Sequence, residues 1–297
     1  MIEYKGASKR FGKKLAVDGL DLKVERGNLT ALLGENGAGK STGISMALGL
    51  LKPSSGSVSV AGKPAGSHSA RQQVGAMLQS AELPEQLTAA EHIRLFQTYY
   101  PKPASFDALV SKLGLEPILN QRYGTMSGGQ KRRVQLALAL CGNADYILLD
   151  EPTVGLDIEA RHTFWQVIRE LVGEGGGVVL TTHYLEEADA LADRILVMAE
   201  GRIIADGTPA DIKALAGGKI IEFRTAATAA ELANLVAVEA VSPVGDRMRL
   251  TSNAAEETLK ALFAAGIGIE DISVESAGLE AAFLGLTTSK ADIGDTA

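Results

Sequence analysis

The nine residues GENGAGKST, at positions 34–42, constrain this chain more than any other stretch, because they follow an apolar run, LTALL, that predicts a buried strand. They match the pattern G-x-x-x-x-G-K-[ST], in which glycines let successive backbone N–H groups point inward at the start of a helix. Such a cradle fits phosphate oxygens, with Lys40 reaching the β and γ phosphates of a nucleotide and Ser41 holding Mg²⁺. The candidate nucleotide-binding residues of this loop are Gly34, Asn36, Gly37, Ala38, Gly39, Lys40, Ser41 and Thr42.

A second apolar run, YILLDEP, ends in two carboxylates, Asp150 and Glu151. Ligands of open α/β sheets bind at the carboxyl ends of the strands, where these two side chains are expected to lie. We predict that Asp150 acts on Mg²⁺ through water and that Glu151 polarises the attacking water as a general base. A solvated turn is the alternative interpretation of such a pair, and the phosphate loop favours the catalytic one.

Between these motifs, the stretch TMSGGQKRRVQLALAL predicts a Ser-Gly-Gly turn that opens a long helix. Open backbone N–H groups and the positive end of the helix dipole make this turn a second candidate phosphate site. Its residues are Ser127, Gly128, Gly129 and Gln130. Because one active site rarely needs two cradles, we predict a head-to-tail homodimer in which the Ser127 turn of each chain closes over the nucleotide held by the other.

The order of the predicted elements indicates an α/β fold. Short apolar strands such as LTALLG, YILLDE and GVVLTTH alternate with helices, which is typical of a parallel sheet covered on both faces. The stretch before the phosphate loop and the later SGSVSVAGKPAG have shorter alternating segments, which predict an antiparallel subdomain at the edge. A helical subdomain is predicted over about residues 80–140, where Thr88 and Glu91 have the capping-box spacing.

With 297 residues, the chain is too long for one ordinary core, and it divides near the sequence AGGKI. We predict a first domain over residues 1–218, a second over 219–287 and a loose polar tail over 288–297. The order β-α-β-β-α-β-α predicted for the second domain resembles a small ferredoxin-like α+β unit.

Charge and hydropathy exclude several classes of function. The net charge is −7, with six basic and twelve acidic side chains from Lys219 onward, so neither part has the basic face of a general nucleic-acid binder. The apolar runs fall far short of the ~18 residues of a spanning helix. The opening MIEYKGASKR lacks the apolar core of a signal peptide. We therefore expect a cytoplasmic protein that binds no nucleic acid, with its one cysteine, Cys141, as a small buried apolar residue.

Over residues 1–218 the motifs resemble those of the ATP-binding cassette (ABC) family, since GENGAGKST, the glutamine of GAMLQS, MSGGQ, YILLDE, VGLD and TTH occur in the family's order. The resemblance implies a P-loop NTPase of the ABC type that hydrolyses ATP with Mg²⁺. It implies that Gln79 contacts Mg²⁺ and links the site to a transmembrane partner through the helical subdomain. It also implies that Asp157 bridges the dimer and that His183 contacts the γ-phosphate and steadies Glu151.

An aromatic residue of the first strand region stacks on adenine in this family. Phe11, in SKRFGKK, occupies that place, and Tyr4 is the competitor. Two residues depart from the family pattern. Gly43 interrupts the helix after the phosphate loop at a cost of about 1 kcal/mol in helix propensity, and Met126 replaces a common leucine with little change of volume. The other histidines lack a catalytic context and are interpreted as surface or structural residues, namely His68, His92 and His162.

The closing segment GLEAAFLGLT resembles the C-terminal extensions of ABC ATPases that serve multidrug, antibiotic and polysaccharide exporters. It implies an ATPase subunit that dimerises on a separate permease, peripheral on the inner face of the cell membrane, and drives export. One alternative is a soluble ABC ATPase acting on ribosomes or DNA, although those proteins usually carry two cassettes or a long coiled coil. A non-catalytic nucleotide sensor is disfavoured because Lys40, Asp150, Glu151 and His183 are all present. The second domain adds either stability or dimer surface, or it has a regulatory or ligand-sensing role.

Overall fold

The structure is a computed structural model that describes residues 1–215, 218–276 and 278–288. The strands are β1 (Ile2–Phe11), β2 (Lys14–Val24), β3 (Leu29–Leu33), β4 (Ser55–Val60), β5 (Lys63–Pro64), β6 (Val74–Met77), β7 (Tyr146–Asp150), β8 (Gly177–Thr181), β9 (Arg194–Ala199), β10 (Arg202–Gly207), β11 (Lys219–Arg224), β12 (Val238–Val244), β13 (Arg247–Ser252) and β14 (Glu270–Ser276). The helices are α1 (Lys40–Ala47), α2 (His68–Arg71), α3 (Ala89–Gln97), α4 (Phe106–Leu113), α5 (Gly128–Leu140), α6 (Ile158–Gly173), α7 (Leu185–Leu191), α8 (Pro209–Leu215), α9 (Ala229–Ala233), α10 (Ala255–Ala264) and α11 (Leu279–Thr288). The chain divides into two compact units, Met1–Asp206 and Gly207–Ala297.

The centre of the first unit is a six-stranded sheet in the order β10-β9-β3-β8-β7-β6. Strand β3 pairs in parallel with β8 and β9, and β7 pairs in parallel with β6 and β8. Every residue of β3, β7 and β8 is buried, as expected of strands covered on both faces. The prediction of an α/β fold with a parallel sheet is confirmed. The carboxyl ends of β3, β6, β7 and β8 therefore meet at one edge.

A second sheet of this unit, in the order β2-β1-β4-β5, is antiparallel. Ile2 lies opposite both Val24 and Val60, and all three side chains are buried in the apolar core. The predicted antiparallel subdomain is present.

Between β6 and β7 the chain is mostly helical and contains α3, α4 and α5, with single 3₁₀ turns at Glu116–Ile118 and Tyr123–Thr125. Helix α3 begins with the predicted capping box, in which Thr88 N donates to Glu91 Oε2 at 2.8 Å and Glu91 N donates to Thr88 Oγ1 at 3.2 Å. Cys141 is buried at the end of α5, as predicted, and its burial raises the pKa of the thiol to about 12. Among the described residues, no helix combines the length and the apolar character needed to cross a bilayer.

The second unit contains an antiparallel sheet in the order β12-β13-β11-β14. With α9 and α10 in the connections, the order β-α-β-β-α-β of the predicted ferredoxin-like unit is present. Ile221, Phe223, Leu232, Leu250 and Leu262 form its core. The first compact unit ends at Asp206, before the predicted boundary at residue 218, because α8 packs against α11 in the second unit. Most of the predicted tail, residues 289–297, lies outside the described residues.

Candidate active site

The phosphate loop connects β3 to α1, and close packing requires two of its glycines. A Cβ on Gly34 would lie 2.4 Å from Met198 O, and one on Gly39 would lie 2.3 Å from Ala16 O. Gly39 also has a φ of 109°, in a region that L side chains rarely adopt. Of the other loop residues, Asn36 and Gly37 are exposed, Ala38 is buried, and Thr42 is half-buried at the start of α1.

Lys40 is only 6% exposed and turns back over the loop that precedes it. Its Nζ donates hydrogen bonds to Gly34 O at 2.7 Å and to Glu35 O at 3.1 Å. Desolvation lowers the pKa of the Lys40 ammonium, and the negative charges of Glu151 and Asp150 oppose this shift. The loop thus holds a positive charge close to both predicted carboxylates.

Asp150 lies at the end of β7 and is buried. Its Oδ1 accepts hydrogen bonds from Thr181 Oγ1 at 2.5 Å and from Ser41 Oγ at 3.2 Å. The structure therefore brings together the hydroxyl and the carboxylate that the sequence assigned to Mg²⁺. Both supply hard oxygen ligands of the kind that Mg²⁺ prefers.

Glu151 follows Asp150 and has a φ of 49°, in the left-handed region that is unfavourable for a residue with a Cβ. Its backbone N–H donates to Thr181 O at 3.1 Å and to Thr181 Oγ1 at 3.0 Å, and these bonds hold the strained turn. Oε2 of Glu151 accepts a hydrogen bond from Gln79 Nε2 at 2.9 Å, and His183 Nδ1 lies 3.6 Å from the same oxygen. Three residues predicted from separate motifs thus meet at one carboxylate.

Sequence reasoning missed Thr181, which is fully buried at the end of β8. Its hydroxyl donates to Asp150 and accepts from the Glu151 backbone, so it fixes both carboxylate-bearing residues. The available signal was the pair of threonines directly before His183, since a buried hydroxyl at a strand end requires a partner.

The second candidate phosphate site is the N-terminus of α5, where Ser127 is exposed and caps the helix. Ser127 N donates to Gln130 Oε1 at 2.8 Å, and Ser127 Oγ accepts from Gln130 N at 3.3 Å. The N–H groups of Gly128 and Gly129 lie in the first turn, where a helix provides no internal partners. Asp157 caps α6 in the same way, accepting from Ala160 N at 2.8 Å. A cavity of about 310 Å³ separates these two helix starts, and no residue of the phosphate loop lines it.

The two candidate aromatic residues occupy different environments. Phe11 is 47% exposed at the end of β1, with Lys9 Nζ 5.3 Å from its ring centroid. Tyr4 is buried, and its hydroxyl donates to Gly43 O at 2.9 Å. Only Phe11 is therefore placed where it could meet a ligand in solution.

The remaining histidines agree with their interpretation as surface or structural residues. His68 and His162 are exposed, whereas His92 is fully buried in α3 with its Nε2 at 3.0 Å from Pro84 O.

Comparison with known proteins extends these observations. A family model described as ABC transporter matches residues 17–154. The chain is 43% identical over 230 residues to the Nod factor export ATP-binding protein I of Burkholderia lata, covering 75% of this chain and 76% of that protein. It is 38% identical over an alignment of 305 positions to the daunorubicin resistance ATP-binding protein DrrA3 of Streptomyces coeruleorubidus, covering 96% and 95% of the two chains. That similarity therefore extends into the second unit.

Solved structures agree with the fold of the first unit. An ATP-binding subunit of an ABC transporter superposes with a TM-score of 0.67 at 31% identity, over 72% of this chain and 92% of the other. A bacterial ABC transporter cassette solved as a dimer gives 0.64 at 27% identity, over 70% and 98%. The same cassette in a post-hydrolysis state with ADP and phosphate gives 0.64 at 26% identity, over 70% and 98%.

Proposed function

The chain belongs to the ATP-binding subunits of ABC transporters, and we propose that it hydrolyses ATP with Mg²⁺ in a head-to-tail dimer of two copies on a separate membrane permease. It is an ATPase subunit of the exporter type, since the relatives that share most of its length are an export protein and a resistance protein. The alternative of a soluble ATPase acting on ribosomes or DNA is not supported by these relatives.

The convergence of Gln79 and His183 on Glu151, beside the phosphate loop, carries the proposal. Glu151 takes a proton from a water molecule as the water oxygen bonds to the γ-phosphorus. The bond from this phosphorus to the oxygen bridging the β and γ phosphates breaks, and ADP leaves. Lys40 exchanges its bonds to loop carbonyls for the β and γ phosphates, while His183 contacts the γ-phosphate and keeps Glu151 in place.

Ser41 and Asp150 fit a Mg²⁺ ion that is bound together with ATP. Within the described ranges, no group of three or more His, Cys, Asp and Glu side chains could hold a metal ion alone. Mg²⁺ usually needs only one or two protein oxygens, because phosphates and water supply the other ligands. When bound, it neutralises charge on the phosphate oxygens. Ser41 would ligate it directly, Asp150 would act on it through water, and the side-chain oxygen of Gln79 would contact it.

The rest of the nucleotide is held by the loop and by Phe11. The backbone from Gly34 to Thr42 surrounds the phosphates, and the exposed ring of Phe11 stacks on adenine. The ring is large enough for this and needs no hydroxyl.

The exposed helix starts support the dimer. Ser127 and Gly128 lie at the surface, and their turn is available to the γ-phosphate of ATP held by a second copy. Asp157 is exposed beside Ile158, a residue that is itself 73% exposed. In the dimer, Asp157 bridges the two copies and Ile158 loses its contact with water.

A cleft beside the helical subdomain, lined mainly by apolar residues together with Arg71, supports the permease contact. A cavity of about 230 Å³ lies between α1, α2 and β6 on one side and α3 on the other, and Phe96 and Tyr100 line it. Leu95 and Tyr99 are 41% and 63% exposed near the end of α3. The segment from Gln79 to α3 joins the active site to this cleft. We assign the cleft to the permease, which places the chain on the inner face of the membrane.

ATP hydrolysis by the wild type and by Glu151→Gln tests the catalytic assignment. The variant keeps the shape of the side chain and loses the base, so kcat is expected to fall by about a hundredfold or more. It should still bind ATP and elute as a dimer in ATP and Mg²⁺ during size-exclusion chromatography. Retention of hydrolysis by Glu151→Gln would remove Glu151 as the base.

Mixing two inactive variants tests the head-to-tail arrangement. Lys40→Ala disables the phosphate loop and Ser127→Arg blocks the second cradle. If each site combines the loop of one copy with the Ser127 turn of the other, a mixed dimer contains one intact site and hydrolysis reappears. If instead each ATP site is formed within a single copy, the mixture of the two variants will hydrolyse ATP no faster than either variant alone.

A further inference from the structure

Glu187, on α7, carries a carboxylate that is almost completely buried. The residue is 1% exposed. Its Oε2 accepts a hydrogen bond from Thr153 Oγ1 at 3.1 Å, and its Oε1 accepts one from Trp165 Nε1 at 3.0 Å. One side chain thus joins three parts of the first unit: the loop after β7, helix α6 and helix α7.

A buried carboxylate lowers the stability of the fold if it serves only to fill space. Removing a carboxylate from water is costly, and hydrogen bonds from neutral donors offset only part of the cost. An apolar residue would fill the same volume without that penalty. Buried polar groups with satisfied partners instead fix one arrangement of the elements that they connect.

The elements that Glu187 connects carry or directly follow two proposed catalytic groups. Glu151 acts on the attacking water, and His183 contacts the γ-phosphate. Thr153 is two residues after Glu151 in the same loop and is itself 1% exposed. Helix α7 begins two residues after His183. The bond between Thr153 and Glu187 therefore links the loop that carries Glu151 to the helix that follows His183.

The loop of His183 is held from further directions. Tyr184 N donates to Thr182 Oγ1 at 2.9 Å, and the Arg161 guanidinium of α6 lies 4.6 Å from the Tyr184 ring centroid. The ring of His183 lies 4.2 Å from that of Tyr184, centroid to centroid. The loop of Glu151 is held at its start by the two bonds from Glu151 N to Thr181, and two residues later by the bond from Thr153 to Glu187.

We propose that Glu187 is a positioning residue for ATP hydrolysis, which through Thr153 fixes the loop of Glu151 relative to His183. This inference rests on the proposed function. Glu187 contacts neither nucleotide nor water in this scheme and acts only through Thr153. A separate bond from Trp165 joins the other oxygen of this carboxylate to α6.

Two single substitutions separate positioning from stability. Thr153→Val keeps the side-chain shape and removes only the hydroxyl that reaches Glu187. Trp165→Phe removes the other donor, which is not on a catalytic loop. We expect Thr153→Val to lower kcat by about tenfold or more, with a KM for ATP within about twofold of the wild type, because misplacing a catalytic loop costs rate rather than binding. Trp165→Phe should lower the Tm yet keep kcat within about twofold.

A conservative substitution at Glu187 should preserve both hydrogen bonds and therefore the rate of ATP hydrolysis. In Glu187→Gln, the amide oxygen accepts from Trp165 and the amide N–H donates to the Thr153 hydroxyl, so both bonds persist. This variant should keep kcat within about threefold of the wild type. If Glu187→Gln lowers kcat as much as Thr153→Val does, the hydrogen bond between Thr153 and Glu187 does not position the loop. Equal effects of Thr153→Val and Trp165→Phe on kcat would contradict the proposal in the same way.

Hydrogen exchange without nucleotide separates this inference from the proposed function. Backbone amides of the loop after Glu151 should exchange faster in Thr153→Val than in Trp165→Phe. If the wild type fails to hydrolyse ATP, the proposed function fails, and the exchange comparison still decides whether Glu187 holds the loop. Equal exchange in the two variants would overturn the positioning assignment.

Discussion

Gln79 Nε2 donates a hydrogen bond of 2.9 Å to Glu151 Oε2, and the two residues lie just beyond the ends of two different strands of the parallel sheet. Gln79 follows β6 and Glu151 follows β7, which are neighbours in the sheet. The amide is therefore close enough to alter the proton affinity of the proposed base. Substitutions at Gln79 can test the role of Glu151 without removing it.

Gln79→Glu places a second carboxylate beside Glu151. Two carboxylates in contact cannot both ionise easily, so the pair loses its second proton only at a higher pH than a lone carboxylate does. A base with a raised pKa is deprotonated only at higher pH. We therefore expect the acid limb of the pH profile of kcat for ATP hydrolysis to move to higher pH in this variant.

Gln79→Ala is the matched control, because it removes the amide without adding charge. Its kcat should fall while the acid limb stays within the wild-type range. If Gln79→Glu and Gln79→Ala have the same limb, the carboxylate at position 151 is not the group whose ionisation limits the rate.

Lys14 provides a test of the nucleotide-binding loop. A Cβ on Gly37 would lie 3.9 Å from Lys14 Nζ, so this exposed ammonium lies beside the phosphate loop. Lys14→Ala is expected to raise the Kd for ATP by about two- to fivefold, with a smaller effect at high salt, as for other exposed charge contacts. Titration calorimetry at two ionic strengths measures it. Lys13→Ala, in the same exposed hairpin, should bind ATP with the wild-type Kd. If both variants lose the same affinity for ATP, the effect is one of overall charge and not of a contact made by Lys14.

Gly43 offers a stability test, since a Cβ at this position meets no atom within 4 Å. Gly43→Ala adds helix propensity to α1 and leaves the carbonyl that accepts from Tyr4 in place. It should raise the free energy of unfolding of the first unit by about 0.5–1 kcal/mol. Gly39→Ala, at the start of the same helix, should destabilise, because its Cβ would lie 2.3 Å from Ala16 O. Urea denaturation compares them, and a destabilised Gly43→Ala would indicate a packing constraint on the glycine.

The location of the catalytic residues at strand ends could be predicted from the sequence. The hydrogen bonds that hold the surrounding elements in place could not. Glu151 and His183 follow apolar runs, and a parallel sheet brings such positions to one edge whatever its strand order. The Tyr4 hydroxyl reaches Gly43 only because β1 packs against a helix 39 residues away along the chain, which no local pattern records. Thr153 and Glu187 were missed for the same reason, because neither the loop nor α7 indicates alone that the two side chains meet.

Because of His92, we expect the free energy of unfolding to fall on mild acidification. It is fully buried, and desolvation lowers the pKa of its imidazole, although the Pro84 carbonyl and the Glu91 carboxylate oppose this. Its Nε2 lies 3.0 Å from Pro84 O, and its Nδ1 has no hydrogen-bond partner in the described part of the chain. The folded protein thus favours the neutral ring, with the proton of the assigned tautomer on Nε2.

The unfolded chain, with a histidine pKa of about 6.5, binds the proton more readily than the folded one. The free energy of unfolding must therefore decrease as the pH falls from about 7.5 to about 5.5. His92→Gln keeps an N–H donor for Pro84 O and does not titrate, so the decrease should be smaller in this variant. His162→Gln, at an exposed histidine, should retain the wild-type slope. Urea titrations followed by fluorescence of Trp165, the only tryptophan of the chain, report on the first unit. Equal slopes in the two variants would mean that His92 is not the group that links protonation to unfolding.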